Sequence, residues 1–558
     1  HAQRRSALAN VSLALIWPYR GGVIMLTLQQ ERARRRTFAI ISHPDAGKTT
    51  LTEKLLLHSG AIHIAGSVKA RKGRRHVVSD WMDIEKQRGI SVASSVMQME
   101  YRGHVLNLLD TPGHQDFSED TYRVLTAVDA ALMIIDAANG VEAQTLRLIE
   151  VCRSRQTPII TFVNKMDREV RYPLELVDEL EQVLGIPIVP FSWPIGMGRN
   201  FHGVIDAARA TVKTFSPGWH DKLISPEVVY DFHEVTNMSS DDAIRDARTE
   251  LELVLASAPA FSEAAFHDGR QSPLFFGSAV NNFGVQEVLD ALVDIAPSPK
   301  SRPALERTVE AIESEFTGVV FKIQANMDPL HRDRIAFIRV CSGRFSRDSK
   351  YLVTRTGKMI RAGAPVSFLS QRREAIEQAY PGDIVGLPNH GALQLGDTLT
   401  SGEPLHFLGL PFFAPEIFKR VDIDDPMKVK QLKSALLQLG QEGAIQVFRD
   451  ASGASVLLGA FGELQFDVAL ERLRQEYGVP ARLHETSFRT ARWISAANPD
   501  ELSKFVSHHS GRIYQDAVQA PAYLFKTRSE LDVISEQWPM IRFHQMRESI
   551  GRLALTQI

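Results

Sequence analysis

Residues 35–60 read RRTFAIISHPDAGKTTLTEKLLLHSG, and this stretch changes character twice. Phe38 to Ile41 is a short, unbroken apolar run, the pattern of a strand covered on both faces. From Thr50 to His58 the residues Leu51, Leu55 and Leu56 recur at helical spacing. Between the two lies Ser42-His43-Pro44-Asp45-Ala46-Gly47-Lys48-Thr49. A loop that joins a strand to a helix N-terminus aims backbone N–H groups and the positive end of the helix dipole at one point, which favours phosphate. A lysine in the place of Lys48 reaches β- and γ-phosphates, and a hydroxyl in the place of Thr49 is a ligand for Mg²⁺. The general pattern opens on glycine, whereas Ser42 stands first here.

Outward from that loop, further apolar runs predict buried strands at 104–110, 130–136, 158–164 and 272–278. Helical stretches at 142–155 and 172–184 lie between some of them, so the reading is an α/β domain with a mostly parallel sheet. Two strand ends carry polar motifs. Asp110-Thr111-Pro112-Gly113-His114 offers an acid that can hold Mg²⁺ through water and a glycine N–H for a γ-phosphate. His114 follows where a water-orienting group is needed. Asn164-Lys165-Met166-Asp167 ends the next strand but one. Guanine presents adjacent N1–H and N2–H₂ donors that one carboxylate, Asp167, can accept together, with Asn164 in support. Adenine has no such donor pair. The three motifs in order on strand ends predict a guanine nucleotide site. A kinase or ATPase on the same loop would need no Asn/Asp pair, and a nucleotide-bound scaffold without hydrolysis would need no His114.

The chain has 558 residues, a length expected to hold three or four domains. With 44% hydrophobic and 23% charged residues it is neither disordered nor fibrous. Lys+Arg at 64 against Asp+Glu at 66 excludes a global polycation, although ERARRR (31–36) and KARKGRRH (69–76) are basic enough to lie near RNA phosphate. Two cysteines exclude a disulfide scaffold, no Cys/His cluster has zinc spacing, and a reducing, cytoplasmic setting fits. No apolar run reaches the roughly 18 residues of a membrane-spanning helix. Residues 1–30, which lack any acid, are expected to be a disordered leader or an over-extended start ahead of Met25. The nucleotide-binding domain is expected over 31–297, with an insertion at about 200–270. A Pro/Ser-rich linker at 296–303 leads to short β-runs between Gly, Pro and Asp turns, read as a β-barrel over 308–413. Mixed helices and strands predict an α+β domain over 414–548, followed by a tail, 549–558. No internal repeat is apparent.

The segment DWMDIEKQRGIS (80–91) resembles the first switch of the translational GTPases. FKIQANMDPLHRDRIAF (321–337), LQFDVALERLRQEYGV (464–479) and FHQMRE (543–548) extend the likeness to that family's elongation factor G-like members, over about Gln29 to Glu548. The resemblance implies a P-loop GTPase domain, an elongation-factor-like β-barrel and a third α+β domain. It implies a GTP/GDP and Mg²⁺ cofactor set, with Ser91 beside Thr49 as the metal's hydroxyl ligand where many relatives have threonine. His114 would position the hydrolytic water, and Gly277-Ser278-Ala279 resembles the last guanine-contacting turn, adding Ser278 and Ala279 to the site. The expected partners are the ribosome, through its RNA and proteins, and the class I release factors that read stop codons, which such a factor would recycle. No membrane or DNA partner and no oligomer are implied. Peptide release itself is expected to need a Gly-Gly-Gln loop, and the one Gly-Gly pair, Gly21-Gly22, is followed by Val23.

Overall fold

The apolar run at Phe38 lies in β1, Arg35–Ser42, an inner strand of a seven-stranded sheet. The computed structural model describes residues 26–62, 94–214, 228–231, 242–325, 334–369, 372–423, 425–453 and 455–548. Ser91, both ends of the chain and the basic run at 69–76 lie outside them. The sheet continues with β2 (Ser95–Tyr101), β3 (His104–Asp110), β4 (Ala130–Asp136), β5 (Ile159–Asn164) and β6 (Ile188–Pro190). From β6 the chain leaves the sheet for a four-stranded antiparallel layer, β7 (Ser192–Ile195) to β10 (Val228–Asp231), with β8 (Gly203–Asp206) and β9 (Thr211–Thr214) between. It returns after the helix Asp242–Ser257 as β11 (Ser272–Phe276), which inserts between β5 and β6.

The order is β2-β3-β1-β4-β5-β11-β6, and only edge strand β2 runs antiparallel. Alternate residues of each inner strand feed two cores. Phe38, Ile40, Leu132 and Phe162 pack with Leu51, Leu55 and Leu56 of the helix Lys48–His58 on one face. Ile41, Met133 and Val163 pack with Leu176 and Leu180 of the helix Pro173–Leu184 on the other. A sheet covered on both faces leaves its ends free for chemistry, and the loops that lead from strand to helix all emerge at the carboxyl ends of the parallel strands.

Past the linker, eight strands form an antiparallel sheet, six short ones flanking the long pair Thr317–Ala325 and Arg334–Ser342. The third part, from Ile417 to His544, is another eight-stranded sheet with a repeated plan. Each half runs strand-helix-strand-strand-helix-strand, and each has the spatial order fourth-first-third-second. The halves join by their second strands, Arg449 opposite Gln515 and Asp450 opposite Tyr514. The sequence shows no such repeat, because the halves share a topology without sharing a residue pattern.

The turn Pro381-Gly382-Asp383 of the second sheet fastens it to the first. Gly382 O accepts from Thr37 Oγ1 (2.7 Å), Asn107 Nδ2 (3.1 Å) and Arg339 Nη1 (2.6 Å), while Asp383 Oδ2 takes Arg35 Nε at 2.8 Å. All these donors are buried. Gly382 has φ +105, and a Cβ there would stand 2.7 Å from Pro299 Cγ and 3.1 Å from Arg35 Cβ. Gly382→Ala therefore combines left-handed strain with overpacking and should cost about 1–3 kcal/mol of stability. A urea titration reads this as a lower unfolding midpoint, and an unchanged midpoint would show that the turn bears no such constraint.

Candidate guanine nucleotide site

Ser42 is the last residue of β1, in extended backbone, so this position asks for no glycine and the departure from the general pattern is accommodated. Gly47 is different. It has φ +95, and a side chain there would overlap Asn164 Nδ2. The helix that follows starts at Lys48, two residues ahead of the apolar spacing, and Gly47 supplies no side-chain cap. Its first-turn N–H groups thus face the loop, as an anion requires. Lys48 is buried, with its ammonium 3.1 Å from Asp110 Oδ1. Thr49 is half-buried at the same end. Pro44 and Asp45 are exposed at the tip, and Ala46 is fully buried beneath it. His43 is buried with Nε2 3.3 Å from Glu142 Oε1. Burial pushes its imidazole below the ordinary range, against the pull of that carboxylate, which favours a neutral ring.

Asp110 and Thr111, at the end of β3, are buried, and Thr111 Oγ1 donates to Ile40 O of β1 at 2.6 Å. A methyl on Gly113 would stand 3.9 Å from both Lys48 Cε and Pro44 Cα, so the loop after β3, with Pro112 in it, lies against the phosphate-type loop. His114 emerges beside them with its side chain 35% exposed, open to an incoming water.

Asn164 ties the remaining motifs to that loop. Its Nδ2 donates to Ala46 O at 2.8 Å, and its Oδ1 accepts Ala279 N at 2.9 Å. Met166 is buried and its N–H bonds Gly277 O at 3.1 Å. Ser278 Oγ donates to Asp167 Oδ1, and Asn281 Nδ2 donates to Ser278 Oγ at 3.1 Å, so Asp167 is aimed by the turn after β11. Lys165 Nζ reaches Asp136 Oδ2 at 2.7 Å. Burial alone would raise the Asp136 carboxyl, but that ammonium and the Ala138 N–H outweigh it and hold it below its ordinary value.

The structure thus gathers Ser42 to Thr49, Asp110 to His114, Asn164 to Asp167 and Ser278-Ala279 at one sheet edge. Sequence reasoning missed Asp136 and Glu142. Asp136 ends a buried apolar strand, as Asp110 and Asn164 do, and that position was the available signal. Glu142 left none.

Three family models match consecutive parts of the chain. Elongation factor Tu GTP binding domain covers residues 33–298, Elongation factor G domain 2 covers 315–402, and Class II release factor RF3, C-terminal domain, covers 407–535. A solved structure from Thermus thermophilus superposes with a TM-score of 0.64 at 25% identity, over 84% of this chain and 71% of that one. Fold and site together define a translational GTPase. The chain is 61% identical to Peptide chain release factor 3 of Nitrosomonas eutropha, over 95% of this chain and 100% of that one. It is also 61% identical to the proteins of that name from Nitrosomonas europaea, over 95% and 100%, and Bordetella avium, over 95% and 99%. It belongs to the peptide chain release factor 3 family.

Asn164→Ala strands the buried Ala46 carbonyl and the Ala279 N–H, at about 1–3 kcal/mol for each group left without a partner. Both GTP and GDP should bind more weakly by a similar factor, because the loss falls on loop geometry common to both. Equilibrium titration with fluorescent nucleotide checks it, and affinity for both equal to wild type would remove Asn164 from the site.

Proposed function

We propose that this chain is a ribosome-stimulated GTPase of translation termination, which hydrolyses GTP to GDP and phosphate while promoting dissociation and recycling of class I release factors. The observation that carries the reading is the convergence of Lys48, His114 and Asp167 on one edge of the sheet, in a chain whose relatives bear the release factor 3 name. In this reading the loop Ser42 to Thr49 holds the phosphates, Asn164 to Asp167 with Ser278 and Ala279 hold guanine, and His114 orients the water. The buried Lys48 ammonium and the uncapped helix N-terminus fit a polyphosphate. The Thr49 hydroxyl, Ser91, and Asp110 through water would hold Mg²⁺, which would supply neutralisation of phosphate charge. Residues 31–297, 308–413 and 414–548 would then be its nucleotide-binding, β-barrel and α+β domains. The setting is the cytoplasm and the working unit a monomer; among the described residues no helix is long and apolar enough to cross a membrane.

Such a factor acts by population shift. The GTP form prefers one ribosome conformation, and that preference expels the bound class I factor. A ligand moves an equilibrium only by its differential affinity, so taking a 1:99 mixture to 99:1 asks for roughly 5.5 kcal/mol.

Two experiments test the reading. Asp167→Asn replaces a double acceptor with an amide that mismatches the guanine N1–H/N2–H₂ pair, so GTP affinity should fall steeply and xanthosine triphosphate should bind better than to wild type. Unchanged GTP binding would sink the base assignment. In multiple-turnover peptide release with limiting class I factor, this protein and GTP should speed turnover without altering the first round. Peptide release by this protein alone would overturn the proposal.

A further inference from the structure

Asp116 lies two residues beyond His114, buried between the first and third sheets. Its carboxylate oxygens face different partners. Oδ1 stands 3.3 Å from His114 Nδ1, and Oδ2 accepts the Leu464 N–H at 2.9 Å. Leu464 is the second residue of the helix Glu463–Gln475, which Gly462 precedes without any side-chain cap. Asp116 therefore does from another domain what a capping aspartate does from within: it satisfies a first-turn N–H and meets the positive end of the helix dipole.

Gly462 shows that the fit is close. Its φ of −152 and ψ of 163 are extended backbone that any residue adopts. A Cβ there would fall on the Asp116 carboxylate carbon and both oxygens. The glycine is required by its neighbour across the domain boundary and not by its own dihedrals.

His114 Nδ1 is also 3.3 Å from the Asp116 backbone N–H. With its proton on Nε2 alone the ring accepts that N–H, whereas a ring that carries a proton on Nδ1, as the other neutral tautomer or as imidazolium, donates it to Oδ1. Either way the ring is oriented through one residue, and the third domain holds the side chain of that residue.

We propose that Asp116 is a positioning residue for His114 and that the third domain, through Gly462 and the Leu464 N–H, sets its side chain, so that docking of this domain conditions GTP hydrolysis. The inference rests on the reading of His114 as the water-orienting group.

The test compares Asp116→Asn, Gly462→Ala, Asp116→Ala and the double variant Asp116→Ala/Gly462→Ala, with His114→Ala as control. Fluorescent GDP titration reads the fold and the nucleotide site, and ribosome-stimulated hydrolysis is resolved into kcat and the KM for ribosomes. Asp116→Asn and Gly462→Ala should each lower kcat about 10-fold or more, the scale of a misplaced catalytic group, with GDP affinity and KM within about twofold of wild type. In the Asp116→Ala background Gly462→Ala should cost nothing further, since the carboxylate it would displace is gone. Wild-type kcat in Gly462→Ala, or losses that multiply in the double variant, would overturn the proposal. Should Gly462→Ala fail to fold, Asp116→Asn, which keeps the volume and an acceptor for Leu464, decides alone by the same split. A His114→Ala protein that hydrolyses GTP normally would defeat the underlying reading of the histidine. An inactive His114→Ala beside a fully active Gly462→Ala would defeat only the coupling.

Discussion

One side-chain amide holds the nucleotide edge in register. Parallel strands bring their loops to a common edge but do not by themselves fix how the loops stand against one another. Asn164 does so, by donating a hydrogen bond to Ala46 O and accepting one from the Ala279 N–H in a buried site. Three loops from β1, β5 and β11 are thereby tied through one residue whose donor and acceptor are both used. The same amide leaves no room for a side chain at residue 47, so the loop's glycine and the asparagine of a motif 117 positions later (164 − 47) are one constraint.

The domain boundaries follow a related logic with charges. Asp129 accepts from Arg302 and from the fully buried Arg339, Asp383 takes Arg35, and Glu442, already paired with Arg472 of its own domain, takes Arg334 of the second. A buried ion pair adds little net stability, but removing either member leaves an uncompensated charge at several kcal/mol. Such pairs select one relative placement of domains over others that would bury similar apolar area. Aromatic contacts run alongside them: Tyr122, in the helix just past the DTPGH loop, packs edge-on against Phe413 at 5.0 Å, and the Arg547 guanidinium lies 4.2 Å over the Phe412 ring as a cation–π pair. A change at the nucleotide edge therefore meets fixed partners in the other two domains.

Much of this was legible in the sequence, and for a physical reason. Parallel strands covered on both faces are continuous apolar runs, so β1, β3, β4, β5 and β11 stand out, and a polar residue that closes such a run is unusual enough to be read as functional. Edge strand β2 escapes, since Gln98 and Glu100 break its pattern on the more open side, and β6 is three residues long. The antiparallel layer β7 to β10 reads only as an interruption because its strands have four residues each. The start of the helix at Lys48 is invisible to periodicity, which begins only where apolar side chains do. Asp116 was beyond reach: its partner lies 348 positions away, and no local pattern marks a residue whose role depends on that distance.

The repeated plan of the third domain sharpens what Gly462 means. The last helix of each half occupies the same place in the topology, Glu463–Gln475 in the first and Arg528–Gln537 in the second. The second is capped from within, Thr527 Oγ1 accepting the Glu530 N–H at 3.2 Å. The first has glycine at the matching position and accepts its cap from the GTPase domain instead. Serine, threonine, aspartate or asparagine at residue 462 would serve the isolated helix better than glycine by a few tenths of a kcal/mol. Any of them would also push Asp116 out of place. The half that faces the nucleotide domain thus forgoes a local cap, and the helix end left open is the one that receives the carboxylate beside His114.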